Sequence, residues 1–428
     1  MSQPLNTTHI APKSSLLFVF FFCLNAFAAQ PEVVLQGTAQ GTAKPVLLFQ
    51  GAVNADSSKL PPTDEASVWS DRMIRAINLS GSILTASKKP DSLVPGIAVP
   101  NARLEVRKAS SGGAATVSLY AGDAIRPYWF QSFSFAEKPL DGALDAAGTL
   151  HMQLIGVAGF ASARLYYAGR TSKGNREVFS CDMLGQNRTQ HTFLNNILLS
   201  PTISPDGTKM CYTSFKNGTA DIWIQSTSAN DARVLYSTPY LDSSPAFSPD
   251  NKTVCFASSF SGDMHIYSIG IDGRNLVQLT FGSDICTSPS WSPKGDRIAF
   301  ASDRSGNVQV YSMAPDGTDV RRITYEGDYN DSPCWSPQAD RIIYVRRENE
   351  TFQLYQTDPA GVTHKRLLYY SEDQKDPAFA PGGFRVSFVT TWRGQEGIAL
   401  VTPETGDVDL IVSDVEAQRP AWGPPLTK

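Results

Sequence analysis

Pro289-Ser-Trp-Ser-Pro-Lys-Gly-Asp-Arg-Ile-Ala-Phe-Ala-Ser-Asp-Arg-Ser-Gly306 opens with a five-residue phrase that occurs six times in this 428-residue chain. The other copies are Pro-Thr-Ile-Ser-Pro from Pro201, Pro-Ala-Phe-Ser-Pro from Pro245, Pro-Cys-Trp-Ser-Pro from Pro333, Pro-Ala-Phe-Ala-Pro from Pro377 and Pro-Ala-Trp-Gly-Pro from Pro420. The first prolines are spaced by 44, 44, 44, 44 and 43 residues. A period of that size marks a repeat architecture.

Within each period the same events recur at fixed offsets. Seventeen residues after the proline stands a turn glycine, at Gly218, Gly262, Gly306 and Gly394, with Glu350 the exception. Five residues later comes Trp223, Tyr267, Tyr311, Tyr355 or Ala399. A second turn follows at Gly273, Gly317 and Gly361, one residue late at Gly406, with Ala229 in the first unit. Segments such as Asn307-Val-Gln-Val-Tyr-Ser are short, rich in β-branched and aromatic residues and bounded by turn formers, as strands are. No unit holds an uninterrupted amphipathic stretch long enough for two helices, which excludes helical repeats of similar period. Four short strands per 44 residues describe a propeller blade.

Five full periods run from 201 to 419, and Pro420 is followed by one strand's worth of chain. One period upstream of Pro201 lies Val157, and from it Gly174, Phe179 and Gly185 fall on the expected offsets. The expectation is a six-bladed β-propeller over 157–428, closed by the C-terminal strand, so that no sheet edge is left open. The proline phrase is read as structural: proline fixes φ at the head of the innermost strand, and Phe247, Trp291, Trp335, Phe379 and Trp422 pack between blades.

The first 156 residues lack the period. Lys13, the apolar run Leu16 to Leu24 and Ala26-Phe27-Ala28 predict a signal peptide over 1–28, too short in its apolar run to span a bilayer. Export makes disulfides possible, but the remaining cysteines, Cys181, Cys211, Cys255, Cys286 and Cys334, are odd in number and unrelated in spacing, so at least one is free or bonded elsewhere; Cys211 and Cys255 share one repeat position and read as small buried apolar residues. Residues 29–156 read as a small α/β domain. Pro45-Val-Leu-Leu-Phe-Gln is a strand, and a helix capped by Thr63 carries Ala66, Trp69, Met73 and Ile77 on one face. Three strands follow near 104, 115 and 129, then a second helix from about 140 to 155 with Leu140, Leu144, Ala147, His151 and Leu154 on one face. Ser110-Ser-Gly-Gly is a hairpin loop, since no Lys-Ser/Thr pair or helix follows it.

Composition narrows function. A net charge of −4 with 18% charged residues argues against nucleic acid, and 41% apolar residues supply a core. There is no Gly-x-Ser-x-Gly elbow, and His151, His191, His265 and His364 lie in separate segments without metal-ligand spacing. No catalytic residue, metal site or cofactor is expected. Asp284, Asp331 and Asp376 lie just before the phrase, facing one mouth of the ring; they could hold a cation, and solvated loop residues are the simpler reading.

The whole order resembles the TolB family, the periplasmic component of the Tol-Pal system of Gram-negative bacteria. The resemblance rests on the exported start, the small α/β domain, the junction Leu154-Ile-Gly-Val-Ala-Gly-Phe-Ala-Ser-Ala-Arg-Leu-Tyr-Tyr, the blade phrases and the final Pro-Ala-Trp-Gly-Pro. It implies a non-enzymatic periplasmic adaptor that binds the peptidoglycan-associated lipoprotein Pal through the propeller mouth and supports envelope integrity and outer-membrane constriction during division. An N-terminal segment, here 30–41 and poorly matched, is linked in the family to the inner-membrane protein TolA. The family's Pal contacts fall here on Leu241, Ser244 and Thr287; Thr287 keeps the family's residue type, whereas Leu241 stands where a histidine is expected. The polar segments Leu241-Asp242-Ser-Ser and Tyr329-Asn-Asp331-Ser, with Asp376, complete the expected partner-binding set. The alternative is a propeller accessory of a peptidase or a periplasmic ligand-binding protein.

Overall fold

A computed structural model describes residues 46–53, 64–79, 84–86, 101–109, 114–121, 129–134, 143–150 and 160–425, the last without 339, 393, 405, 414 and 415. The expected signal peptide, the segment 30–41, Thr63, Leu140, His151, Leu154 and the loop 110–113 lie outside the described residues.

Near the N-terminus five strands form one sheet in the order Leu84–Ala86, Val46–Val53, Asn101–Lys108, Ala114–Ala121 and Trp129–Ser134. The first three are parallel and the others antiparallel. The helix Glu65–Leu79 buries Ala66, Trp69, Met73 and Ile77, as the three-and-four spacing requires. Its cap is Asp64, one residue after the expected Thr63: Ala66 N donates to Asp64 Oδ1 at 2.9 Å. Lys108 Nζ donates to Asp64 Oδ2 at 2.6 Å, which ties the helix to the sheet and holds this carboxyl below its usual range. The chain is also helical over 143–150, with Leu144 and Ala147 buried. The short strand Leu84–Ala86 was not legible in the pattern; it is placed by pairing with Val46 to Leu48.

Residues 160–425 form six four-stranded antiparallel sheets, and the fold is a β-propeller. Five sheets are continuous meanders whose leading strands are Leu198–Ile203, Asp242–Phe247, Cys286–Trp291, Asn330–Trp335 and Gln374–Phe379. In the other, Gln418–Trp422 pairs antiparallel with Leu165–Arg170, followed by Arg176–Cys181 and Thr189–Gln190.

The two glycine series differ in their surroundings. Gly218, Gly262, Gly306 and Gly394 have φ of 95°, 113°, 95° and 80° with open space where a Cβ would stand, so backbone conformation alone requires them. At Glu350 the turn changes type. Strands Ile342–Glu348 and Thr351–Thr357 pair up to Glu348 and Thr351, leaving Asn349 (φ 46°) and Glu350 (φ 71°) as a two-residue turn with both centres left-handed. In the second series φ is again left-handed, and at three positions space is closed as well. A Cβ on Gly185, Gly317 or Gly361 would lie 2.0, 2.4 or 2.2 Å from the backbone oxygen of Ile411, Leu279 or Ile323, each in a neighbouring sheet.

Aromatic residues of the proline phrase fill the joints between sheets. Phe247 packs with Cys211 and Ile222 of the sheet before it, Phe379 with Ile343 and Leu354, and Trp335 with Ala299 and Val310. A buried indole N–H needs an acceptor. Trp422 Nε1 donates to Ser387 Oγ at 3.0 Å; at the equivalent position Trp291 faces Cys255, and its buried N–H has no acceptor among the described residues. Trp335 meets Ala299 there, and its N–H has no acceptor among the described residues. Cys211 and Cys255 are fully buried and, like the three other described cysteines, unbridged; burial pushes both thiols well up, which makes them inert.

Candidate functional site at the propeller mouth

Every leading strand starts from a loop that is bonded to its own sheet and to the one before. Ser259 N donates to Leu241 O at 3.0 Å, and Asp242 N donates to Ala220 O at 2.9 Å; Cys286 to Met264 and Asn330 to Val308 repeat the second bond at 2.7 and 2.9 Å. These bonds link successive loops along one rim, the mouth.

Directly before each proline the backbone turns left-handed. Ser200, Ser244, Ser288, Ser332, Asp376 and Arg419 have φ between 50° and 54°. Each marks a break in strand register, as between Ser243 and Ala246, so every leading strand carries a bulge at the mouth. A non-glycine residue in this region costs about 1–3 kcal/mol, and such strain concentrates at binding surfaces. Ser244 and Asp376 of the expected set stand on these bulges, and Thr287 and Asp331 immediately before two others. The sequence signal was the repeated Ser-Pro at one offset, which reads as a turn until pairing is known.

Placement separates the expected residues. Leu241 is 43% exposed on its loop, Ser244 and Thr287 are half-buried, and Asp242 is fully buried. Asp331 accepts from the Tyr329 hydroxyl at 3.2 Å and from Ser332 N at 2.6 Å, and with burial it pushes the Tyr329 hydroxyl up to about 12. Asp376 accepts from Arg419 Nε at 3.1 Å, an ion pair between neighbouring leading strands. Leu241, Asp242 and Ser244 thus sit together, Thr287 is on the next sheet, and Asp331 and Asp376 on the two after it.

Asp242 belongs to a buried layer just beneath the rim. At equivalent joints Asn330 Nδ2 donates to Gln309 Oε1 at 3.1 Å and Gln374 Nε2 to Gln353 Oε1 at 2.7 Å. Here the two positions are Asp221 and Asp242, both fully buried. Thr238 N and Oγ1 donate to Asp242 Oδ2 at 3.0 Å, and Asn217 and Thr219 donate to Asp221. Burial, opposed by hydrogen bonds from Ser258 and Thr238 and reinforced by Asp221, raises the carboxyl of Asp242. A group raised on folding adds stability below its unfolded pKa, and that stability is lost as pH rises through the folded value. Asp242→Asn, copying Asn330, is therefore expected to raise the melting temperature at pH 7 and to lose that advantage by pH 4. An equal gain at both values would rule out the charge explanation.

A second set at the mouth escaped the sequence reading. Exposed aromatic rings recur at one offset in the loops before the leading strands: Phe193, Phe281, Tyr325 and Tyr369, exposed by 54, 68, 63 and 80%. Four residues on, Ile197, Leu241 and Ile285 are exposed by 49, 43 and 50%. Large exposed apolar residues clustered on one face mark an interaction surface.

Ser180 Oγ lies 2.7 Å from His191 Nε2, a nucleophile-and-base pairing, but Ser180 is fully buried and accepts from Arg164 Nε at 2.9 Å. No substrate reaches it. Among the described residues no group of three His, Cys, Asp or Glu could hold a metal ion.

The fold and rim define the class as a repeat β-propeller with exposed apolar residues on its mouth loops. The TolB beta propeller domain model matches residues 151–426, and the chain belongs to that family. Similar proteins include the Tol-Pal system protein TolB of Desulfosudis oleivorans, 30% identical over 127 residues and 29% of each chain. That of Actinobacillus succinogenes is 26% identical over 248 residues, 53% of this chain and 56% of the relative. The matches thus span little more than half, or less, of these curated relatives. The crystal structure of TolB from Acinetobacter baumannii has the same fold, with a TM-score of 0.71 at 21% identity over 90% of this chain and 98% of that one. Among the described residues no helix is long and apolar enough to cross a membrane.

Proposed function

We propose that this chain is a non-enzymatic periplasmic adaptor of a Tol-Pal system, built as a signal peptide (1–28), an α/β domain (29–156) and a six-bladed propeller (157–428) closed by its C-terminal strand. Its mouth binds a Pal-like peptidoglycan-associated lipoprotein, and through it the protein supports envelope integrity and constriction of the outer membrane. The observation that carries this reading is the ring of exposed aromatic and aliphatic side chains on the mouth loops. Large rigid rings on a fixed scaffold suit binding hot spots, and contacts of that kind need no reactive geometry. Family membership supports the system, and the pairing of Gln418–Trp422 with Leu165–Arg170 supports the closure.

The test is capture of the organism's own peptidoglycan-associated lipoprotein, as its soluble domain, on immobilised protein. Wild type is expected to retain it, and Leu241→Asp or Phe281→Ala to weaken retention about tenfold or more, a change of about 1.4 kcal/mol. Ser244 and Thr287 substitutions are expected to weaken it as well. No capture by wild type, or capture indifferent to all four positions, would count against the reading.

A further inference from the structure

The aromatic rings at the mouth say little about which way round a partner sits. The rings at 193, 281, 325 and 369 repeat one position of a pseudo-symmetric array, and apolar attraction is non-directional. Charge does distinguish the sides. The loops 193–197 (Phe-Leu-Asn-Asn-Ile) and 237–241 (Ser-Thr-Pro-Tyr-Leu) carry no charged residue, and the exposed cations Lys173 and Lys216 flank them. Lys216 Nζ donates to Leu194 O at 2.9 Å, so this side is neutral to positive. The loops 325–329 (Tyr-Glu-Gly-Asp-Tyr) and 369–373 (Tyr-Tyr-Ser-Glu-Asp) hold four carboxylates.

Internal pairing offsets Asp328 and Asp373 and leaves Glu326 and Glu372 turned outward. Arg346 meets Glu326 at 3.3 Å, but the arginine side chain is 8% exposed and the glutamate 75%, so the guanidinium lies beneath and the carboxylate faces out. Asp328, 63% exposed, pairs at 3.2 Å with Arg347, itself 46% exposed. Glu372 is approached by the Ser371 hydroxyl at 3.5 Å, and Asp373 pairs with Lys375. The rings on this side are already held in place. Arg322 lies 4.8 Å from the Tyr325 centroid and Arg366 5.3 Å from that of Tyr369, which lowers the entropy lost when a partner docks.

We infer that the mouth is electrically one-sided and seats a protein partner that sets lysines or arginines over loops 325–329 and 369–373 and uncharged apolar residues over loops 193–197 and 237–241. Complementary charge fixes register and raises the association rate, while the ring of aromatics supplies affinity. The inference rests on the proposed docking of a lipoprotein at this mouth and adds the chemistry and orientation of the docked face.

Two arms test it. With the lipoprotein's soluble domain, the triple variant Glu326→Gln, Asp328→Asn, Glu372→Gln is expected to associate about tenfold more slowly at low salt, to lose most of its salt dependence and to dissociate at nearly the wild-type rate. Glu372→Gln alone, which disturbs only the Ser371 contact, should show the same direction. Unchanged association rate and salt slope in a variant with wild-type melting overturn the inference while leaving lipoprotein binding intact. In the second arm a deca-lysine peptide is added to the full chain and hydrogen exchange is followed. Protection is expected at 325–329 and 369–373, absent at 193–197 and abolished in the triple variant. Protection spread evenly round the mouth overturns the one-sided reading even if the lipoprotein is never captured.

Discussion

Removing residues 419–428 is expected to destabilise the whole repeat region by about 5 kcal/mol or more, a large share of the 5–15 kcal/mol that holds a typical domain folded. The truncation deletes nearly all of a strand, not a tail. Ala421 and Trp422 pair with Tyr166 and Leu165, and Gly423 N donates to Arg164 O at 3.0 Å. Trp422 stands edge-on to Phe160 with centroids 5.3 Å apart and gives its indole N–H to Ser387 of the neighbouring sheet. Arg419 is the partner of Asp376. Loss of the partly buried Trp422 alone costs up to about 3 kcal/mol, the low end for a core tryptophan, and the truncation also bares an edge of the sheet it leaves. Thermal and urea unfolding of full-length and truncated chains measure the effect. Superimposable transitions would remove the basis for the proposed closure.

Gly185→Ala and Gly361→Ala are expected to cost about 3 kcal/mol or more each, and by similar amounts. Gly361 has φ of 73° and stands against the Ile323 carbonyl, a joint between two consecutive sheets. Gly185 has the same φ and stands against Ile411, in the sheet that comes last in the chain. A Cβ at either position would sit far inside van der Waals contact with a backbone oxygen, so the joint itself must open; left-handed strain adds about 1 kcal/mol or more. Equal losses in denaturant titrations would mean that the seam between the two ends of the chain is as tight as any internal joint. A harmless Gly185→Ala beside a damaging Gly361→Ala would show that seam to be loose.

The repeat was legible because its markers answer to local rules. Proline heads each leading strand and glycine serves each left-handed turn, so the positions of six sheets could be read by counting. The aromatic between the two prolines was legible as packing for the same reason. Three things were not. The strand Leu84–Ala86 has only three residues and depends on a partner distant in sequence. The bulges depend on cross-strand register, which Ser-Pro does not declare. The rings at Phe193, Phe281, Tyr325 and Tyr369 lie outside the strands in loops of mixed polarity, where a lone aromatic carries little signal. Counting 44 residues on from Phe281 would have found Tyr325 and Tyr369, and counting 88 back would have found Phe193. Asp242, expected at the surface because its neighbours are polar, is buried by the same register that exposes Leu241, since adjacent residues point opposite ways at the head of a strand.

The bulge before each proline also separates shape from lettering. Serine, aspartate and arginine all occupy it at the same φ, so the strand head keeps its course whichever side chain it carries. The six positions 200, 244, 288, 332, 376 and 419 therefore behave as interchangeable characters on a fixed dial. A lineage, or a protein engineer, can change the side chains presented at those places without redrawing the strands that hold them, provided β-branched residues are kept out.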